Sequence, residues 1–74
     1  MVATDLVHCD PEIMGGAPVF VGTRVPVRGL FDHLKAGDSL DVFLDDFPSV
    51  SREQAVAALD FVQEVLLDHA RTSR

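Results

Sequence analysis

A mainly helical fold, three helices forming a helix-turn-helix unit behind a short N-terminal pair of β-strands, is predicted by three observations. A Val-Phe-Val run bounded by glycines supplies strand material at residues 18–21. Apolar residues then recur at helical spacing in three successive segments after Pro26. Gly37, Pro48 and the sequence Ser51-Arg52-Glu53-Gln54 separate those segments with stop, break and start signals.

Leu6 to Cys9 alternates weakly and is expected to pair with Pro18 to Val21, the connection running through Asp10-Pro11-Glu12 and the Gly15-Gly16 pair. Such a two-stranded ribbon is barely stable in water, so it must lie on the helices or pair with another subunit. Gly22 breaks the second strand. Pro26 suits the first helical position, because its φ is preset and it has no N–H to leave unpaired, while Val25 before it is pushed to extended geometry.

The first helix is placed at about residues 26–36, where Val27, Leu30, Phe31 and Leu34 follow the i, i+3, i+4, i+7 pattern. Gly37 ends it, and Asp38 or Ser39 caps a second helix at about 39–47, with Leu40, Phe43, Leu44 and Phe47 on its apolar side. Pro48 stops that helix. Ser51 and Gln54 form a capping box that opens the longest helix, at about 51–69, and a frayed tail is expected over Arg71 to Arg74.

The 74 residues, 47% of them hydrophobic, suit a single domain. A core this small leaves a monomer marginal, and the one cysteine, Cys9, excludes an internal disulfide, so a homodimer, a higher oligomer or another protein partner is the expected remedy. Cys9 itself reads as a small buried hydrophobe. No apolar run is long enough to span a bilayer and Met1 to Asp5 lacks the basic region of a signal peptide, so no membrane role and a cytoplasmic location are expected. The net charge of -6, from twelve acidic and six basic residues, disfavours a surface that condenses on phosphates. It suits a basic protein partner, or simple solubility.

The third helix carries more apolar surface than its own fold requires. Ala55, Leu59, Val62 and Leu66 make one stripe, Ala58, Phe61 and Val65 an adjacent one, and Val56 and Leu67 widen the arc. One stripe can face the internal core. The other is a candidate interface, unless the β-unit covers it.

No constellation for catalysis, cofactor or metal emerges. His8-Cys9-Asp10 places His8 and Asp10 on one side of a strand and Cys9 on the other, and no second ligand cluster exists. His33 and His69 lack a nucleophile and an orienting group, and His69 near a helix C-terminus is favoured by the dipole. Asp45 and Asp46, about 100° apart on a helix, read as a solvated acidic face or a contact for a basic partner. Gly15-Gly16 lacks the Lys-Ser/Thr ending of a phosphate loop. The expected answer is that this is not an enzyme. For nucleic acid, Arg52 and Gln54 are the base-reading candidates at the start of the third helix, where Glu53 and Asp60 would oppose phosphates. Arg24 and Arg28 are candidate phosphate clamps, with an Arg28–Asp32 ion pair as the competing assignment.

The run Gly15-Gly16-Ala17-Pro18-Val19-Phe20-Val21-Gly22-Thr23-Arg24-Val25-Pro26-Val27, followed by Leu34-Lys35-Ala36-Gly37-Asp38-Ser39 and Phe47-Pro48, resembles the domain-of-unknown-function family four-three-three. Those proteins look like VapB-type antitoxins. The resemblance spans about Asp10 to Leu67, and departs from the usual pattern only in the sparse acidic content of Ser39-Leu40-Asp41-Val42. It implies a homeodomain-like helix-turn-helix fold and a type II toxin-antitoxin role, in which the chain silences a PIN-like ribonuclease toxin and, with it, represses its own operon. On that reading Asp45, Asp46, Asp60, Glu64 and Asp68 meet the toxin's cations and Phe61, Val65 and Leu66 anchor it. The alternative is a stand-alone helix-turn-helix regulator that binds operator DNA through Arg24, Arg28, Arg52 and Gln54.

Overall fold

Residues 6–72 are described by a computed structural model of the chain. The expectations for Met1 to Asp5, and for the last two residues of the Arg71–Arg74 tail, lie outside these residues.

The chain begins with β1 (Val7–His8), which pairs antiparallel with β2 (Val19–Phe20) in the register Val7 to Phe20 and His8 to Val19. Both strands are shorter than the alternation suggested. Between them the chain makes a 3-10 turn at Met14–Gly16, where Gly15 and Gly16 take φ of 65° and 91°, the left-handed region that glycine enters without steric cost. After β2 the backbone reverses at Gly22 and returns along the other edge of β2. Phe20 N–H donates to the Val25 carbonyl at 3.0 Å and Val27 N–H to the Pro18 carbonyl at 3.0 Å. Thr23 locks this reversal, its hydroxyl donating to the Phe20 carbonyl at 2.9 Å and accepting from Val25 N–H at 3.0 Å.

Pro26 departs from expectation. Its ψ of 136° is extended, so it is the cap residue, bridged to Val19, and α1 begins one residue later as Val27–Lys35. The strand return and the helix start therefore share one proline, which couples the sheet directly to α1. At the other end Gly37 N–H donates to the Leu34 carbonyl and Asp38 N–H to the His33 carbonyl, the paired bonds that close a helix through a left-handed glycine.

α2 (Leu40–Asp46) is capped by Ser39, whose hydroxyl accepts from Val42 N–H at 3.3 Å. α3 (Arg52–Thr72) opens on the capping box as read. Gln54 N–H donates to Ser51 Oγ at 3.0 Å and Ser51 N–H donates to Gln54 Oε1 at 2.9 Å. The helix runs to Thr72, past the predicted end near His69, with His69 and Arg71 in its last turn where cations oppose the dipole.

The core is Leu6, Phe20, Val25, Leu30, Phe43, Val50, Ala55 and Ala58, with α1 packed on both α2 and β2. Phe43 is its hub. The ring is completely buried and lies 6.2 Å from Phe20, 5.1 Å from Phe47 and 5.6 Å from His33, centroid to centroid. The molecule is thus mainly helical, three helices behind a two-stranded antiparallel sheet.

Gly29 lies inside α1 with ordinary helical backbone, and a Cβ built there meets Phe43 at 3.9 Å, a normal contact. Gly29→Ala is therefore expected to stabilise the fold by about 0.5–1 kcal/mol through lower unfolded-state entropy. A thermal melt checks it, and a fall in melting temperature would show that the α1–α2 contact is tighter than described.

Candidate protein-docking face

α1 and α2 are short, nine and seven residues, whereas α3 has 21. At about 1.5 Å per residue, α3 is more than twice the length of α1 and three times that of α2, so its second half extends beyond the elements that could cover it. Its buried residues are Ala55 and Ala58, both in the first two turns, and every described side chain from Asp60 to Arg71 is exposed. Phe61 is 37% exposed, Val65 50% and Leu66 62%, with Val62 and Leu67 also open. The apolar periodicity that seats α3 on the core continues past the end of that core. The predicted surplus face exists, and the β-unit does not cover it.

Carboxylates flank this face. Asp60 and Glu64 have no ion pair or hydrogen bond among the described residues, while Asp68 accepts from Arg71 at 3.2 Å. Asp45 is exposed. Asp46, expected in the same acidic surface, points back at the fold, its Oδ2 3.5 Å from His33 Nε2.

His33 is the residue that the sequence undervalued. It is largely buried, with Nδ1 2.9 Å from Asp38 Oδ2, and its ring meets Phe43 and Phe47 edge-on at 5.6 and 5.8 Å. It ties the end of α1 to the end of α2. The hint in the sequence was Asp38 just past the helix-ending Gly37, but Asp46 and the two rings arrive only through tertiary packing. Cys9, expected in the interior, is exposed. His8 and Asp10 do share a side, 3.9 Å apart. Among the described residues no group of three or more His, Cys, Asp or Glu is placed to hold a metal, and no helix is long and apolar enough to cross a membrane.

The four nucleic-acid candidates separate. Arg28 pairs with Asp32 at 3.6 Å, as its competing assignment anticipated, and Arg52 bridges α3 to α2 through Asp41. Gln54, the other base-reading candidate, is engaged within the fold, its Oε1 accepting from Ser51 N–H and its Nε2 donating to the Val21 carbonyl at 2.9 Å. Gln54→Ala is expected to cost about 1–2 kcal/mol by removing both the cap and the strap to the hairpin. A denaturation midpoint unchanged by that substitution would contradict the role. Arg24 alone remains unengaged among the described cations, exposed on the rim of an open groove.

The model of the family described as protein of unknown function (DUF433) matches residues 7–62, most of the chain. The chain belongs to the DUF433 family. The matched span takes in the hairpin, α1, α2 and the buried start of α3, and ends at Val62, where the helix leaves the core. Among curated proteins, this DUF433 member is 40% identical over 52 residues to the uncharacterized protein y4eO of Sinorhizobium fredii (strain NBRC 101917 / NGR234), covering 70% of this chain. It spans only 24% of that relative's length. A crystal structure of a DUF433 member from Anabaena variabilis ATCC 29413 is similar with a TM-score of 0.68 and 22% identity, covering 93% of this chain and 68% of that one. That likeness establishes the fold.

Proposed function

We propose that this chain is a protein-binding inhibitor, the antitoxin of a type II pair, which silences a PIN-like ribonuclease toxin in the cytoplasm and is not itself an enzyme. The observation that carries the reading is the exposed half of α3, where Phe61, Val65 and Leu66 stand beside Asp60 and Glu64. Contiguous exposed apolar surface rimmed by charge is the signature of a docking site. A nuclease that binds RNA presents cations to phosphate, and carboxylates flanking an apolar anchor complement such a groove while the anchor supplies burial. The overall charge of -6 adds long-range attraction to a basic partner.

Regulation of DNA by the chain alone has less support. Of its four candidate contacts, Arg28 and Arg52 are paired and Gln54 is committed, which leaves Arg24. The test is a titration of a PIN-like nuclease with the purified chain, with ribonuclease activity as the readout. Inhibition that saturates at a fixed molar ratio supports the reading. Undiminished cleavage in excess chain removes it.

A further inference from the structure

Two unpartnered surfaces of the molecule complement each other. One is an open groove of about 940 Å³ between the Met14–Gly16 turn, the return after β2 and the turn following α2. Met14, Val21 and Phe47 give it apolar walls and Arg24 lines it. Arg28, Lys35, Arg52 and Arg71 each have a carboxylate within 4 Å, but Arg24 has none among the described residues. The other surface is the exposed half of α3, with Phe61 37% and Val65 50% exposed and the Glu64 side chain likewise without a partner among the described residues.

Gln54 relates the two in space. Its side chain donates to the Val21 carbonyl, and Val21 is part of the groove wall. Phe61 and Val65 follow it by seven and eleven residues, which at about 100° per residue returns them to the same side of α3. The groove therefore opens beside the start of the helix, on the side that carries the partly exposed apolar residues further along.

We propose that two copies of this chain pair with their third helices antiparallel, the Phe61–Val65 face of each seated in the Arg24 groove of the other, with Glu64 meeting the partner's Arg24. The rise of about 1.5 Å per residue puts Val65 roughly 17 Å beyond Gln54, so a two-fold axis midway along that span lays each overhang on the other's groove. A two-fold interface requires one patch to contain both halves of the contact, and this chain has both, an apolar-acidic helix and an apolar groove with a bare guanidinium. Pairing also gives a small domain the additional burial that its own core lacks. The inference does not rest on the inhibitory reading. Where both hold, self-association keeps the α3 face covered until a tighter partner displaces it.

Light scattering of the intact chain over a concentration series is the test. A reversible dimer is expected, with Arg24→Glu weakening it at least about ten-fold and the Arg24→Glu, Glu64→Arg double variant recovering most of the loss. Circular dichroism checks that each variant folds, and Arg24→Gln, which removes the charge alone, shifts in the same direction as Arg24→Glu. A wild-type chain that is monomeric at every concentration overturns the proposal, as does a dimer indifferent to Arg24→Glu or a charge swap that restores nothing. Arg24→Glu leaves the Phe61 face intact, so it weakens pairing while nuclease inhibition persists, and failure of one reading is distinguishable from failure of the other.

Discussion

Substituting Phe43 with alanine is expected to cost about 3–5 kcal/mol and to leave much of the chain unfolded at physiological temperature. The ring is completely buried and touches all three supports of the fold at once, Phe20 of β2, His33 of α1 and Phe47 at the end of α2. Removing it opens a cavity where these elements converge. A domain of this length holds roughly 4–11 kcal/mol in total, at about 0.05–0.15 kcal/mol per residue, so one such loss consumes a large part of the margin. The melting temperature should fall by more than about 12 °C, since each kcal/mol shifts it by about 4–8 °C in domains of this size. A thermal melt by circular dichroism reads the change. A fall of only a few degrees would mean that the junction of β2, α1 and α2 is held by something other than this ring.

The second large effect is on binding and leaves the fold alone. On the proposed antitoxin reading, the Phe61→Asp, Leu66→Asp double variant should lose nuclease inhibition by about 30-fold or more, the cost of deleting a central apolar anchor worth about 2 kcal/mol or greater. Both residues belong to the exposed part of α3, and neither is in the core or among the side chains packed against it. Stability of the isolated chain should change by no more than about 0.5 kcal/mol per site, as for ordinary surface positions. Retained inhibition with a normal melt would move the docking site off α3. Lost inhibition together with a collapsed melt would place these side chains in the fold itself.

Much of this architecture could be read from local chemistry. Ser39 and the Ser51–Gln54 box cap helices where their residue types required, and Gly37 closes α1 through the left-handed conformation that its position demanded. These signals involve residues a few positions apart, so they need little from the rest of the fold to form. The tertiary facts were hidden for the opposite reason. Cys9 looked like strand interior, but β1 stops at His8 and leaves the thiol exposed. Gln54 looked available to a ligand until the fold placed Val21, 33 residues earlier in the chain, within reach of its amide. Pro26 has a helical φ, and only its pairing with Val19 makes its ψ extended.

The docking face lies between these cases. Periodicity showed that α3 carries more apolar surface than one core can absorb. It did not show that the surplus lies along the helix rather than around it, because that depends on how short α1 and α2 are once packed. With both known, the exposed residues are those beyond the reach of the body, and their carboxylate neighbours make this face acidic.

The central claim is that the exposed half of α3 binds a basic nuclease. The most direct measurement is purification of the tagged chain from cells that carry its native neighbouring genes, with mass spectrometry and light scattering of the eluted species. A stoichiometric complex with a small basic protein is expected, and it disappears in the Phe61→Asp, Leu66→Asp variant. Elution of the wild-type chain with no second protein, or of a complex unchanged in that variant, would contradict it.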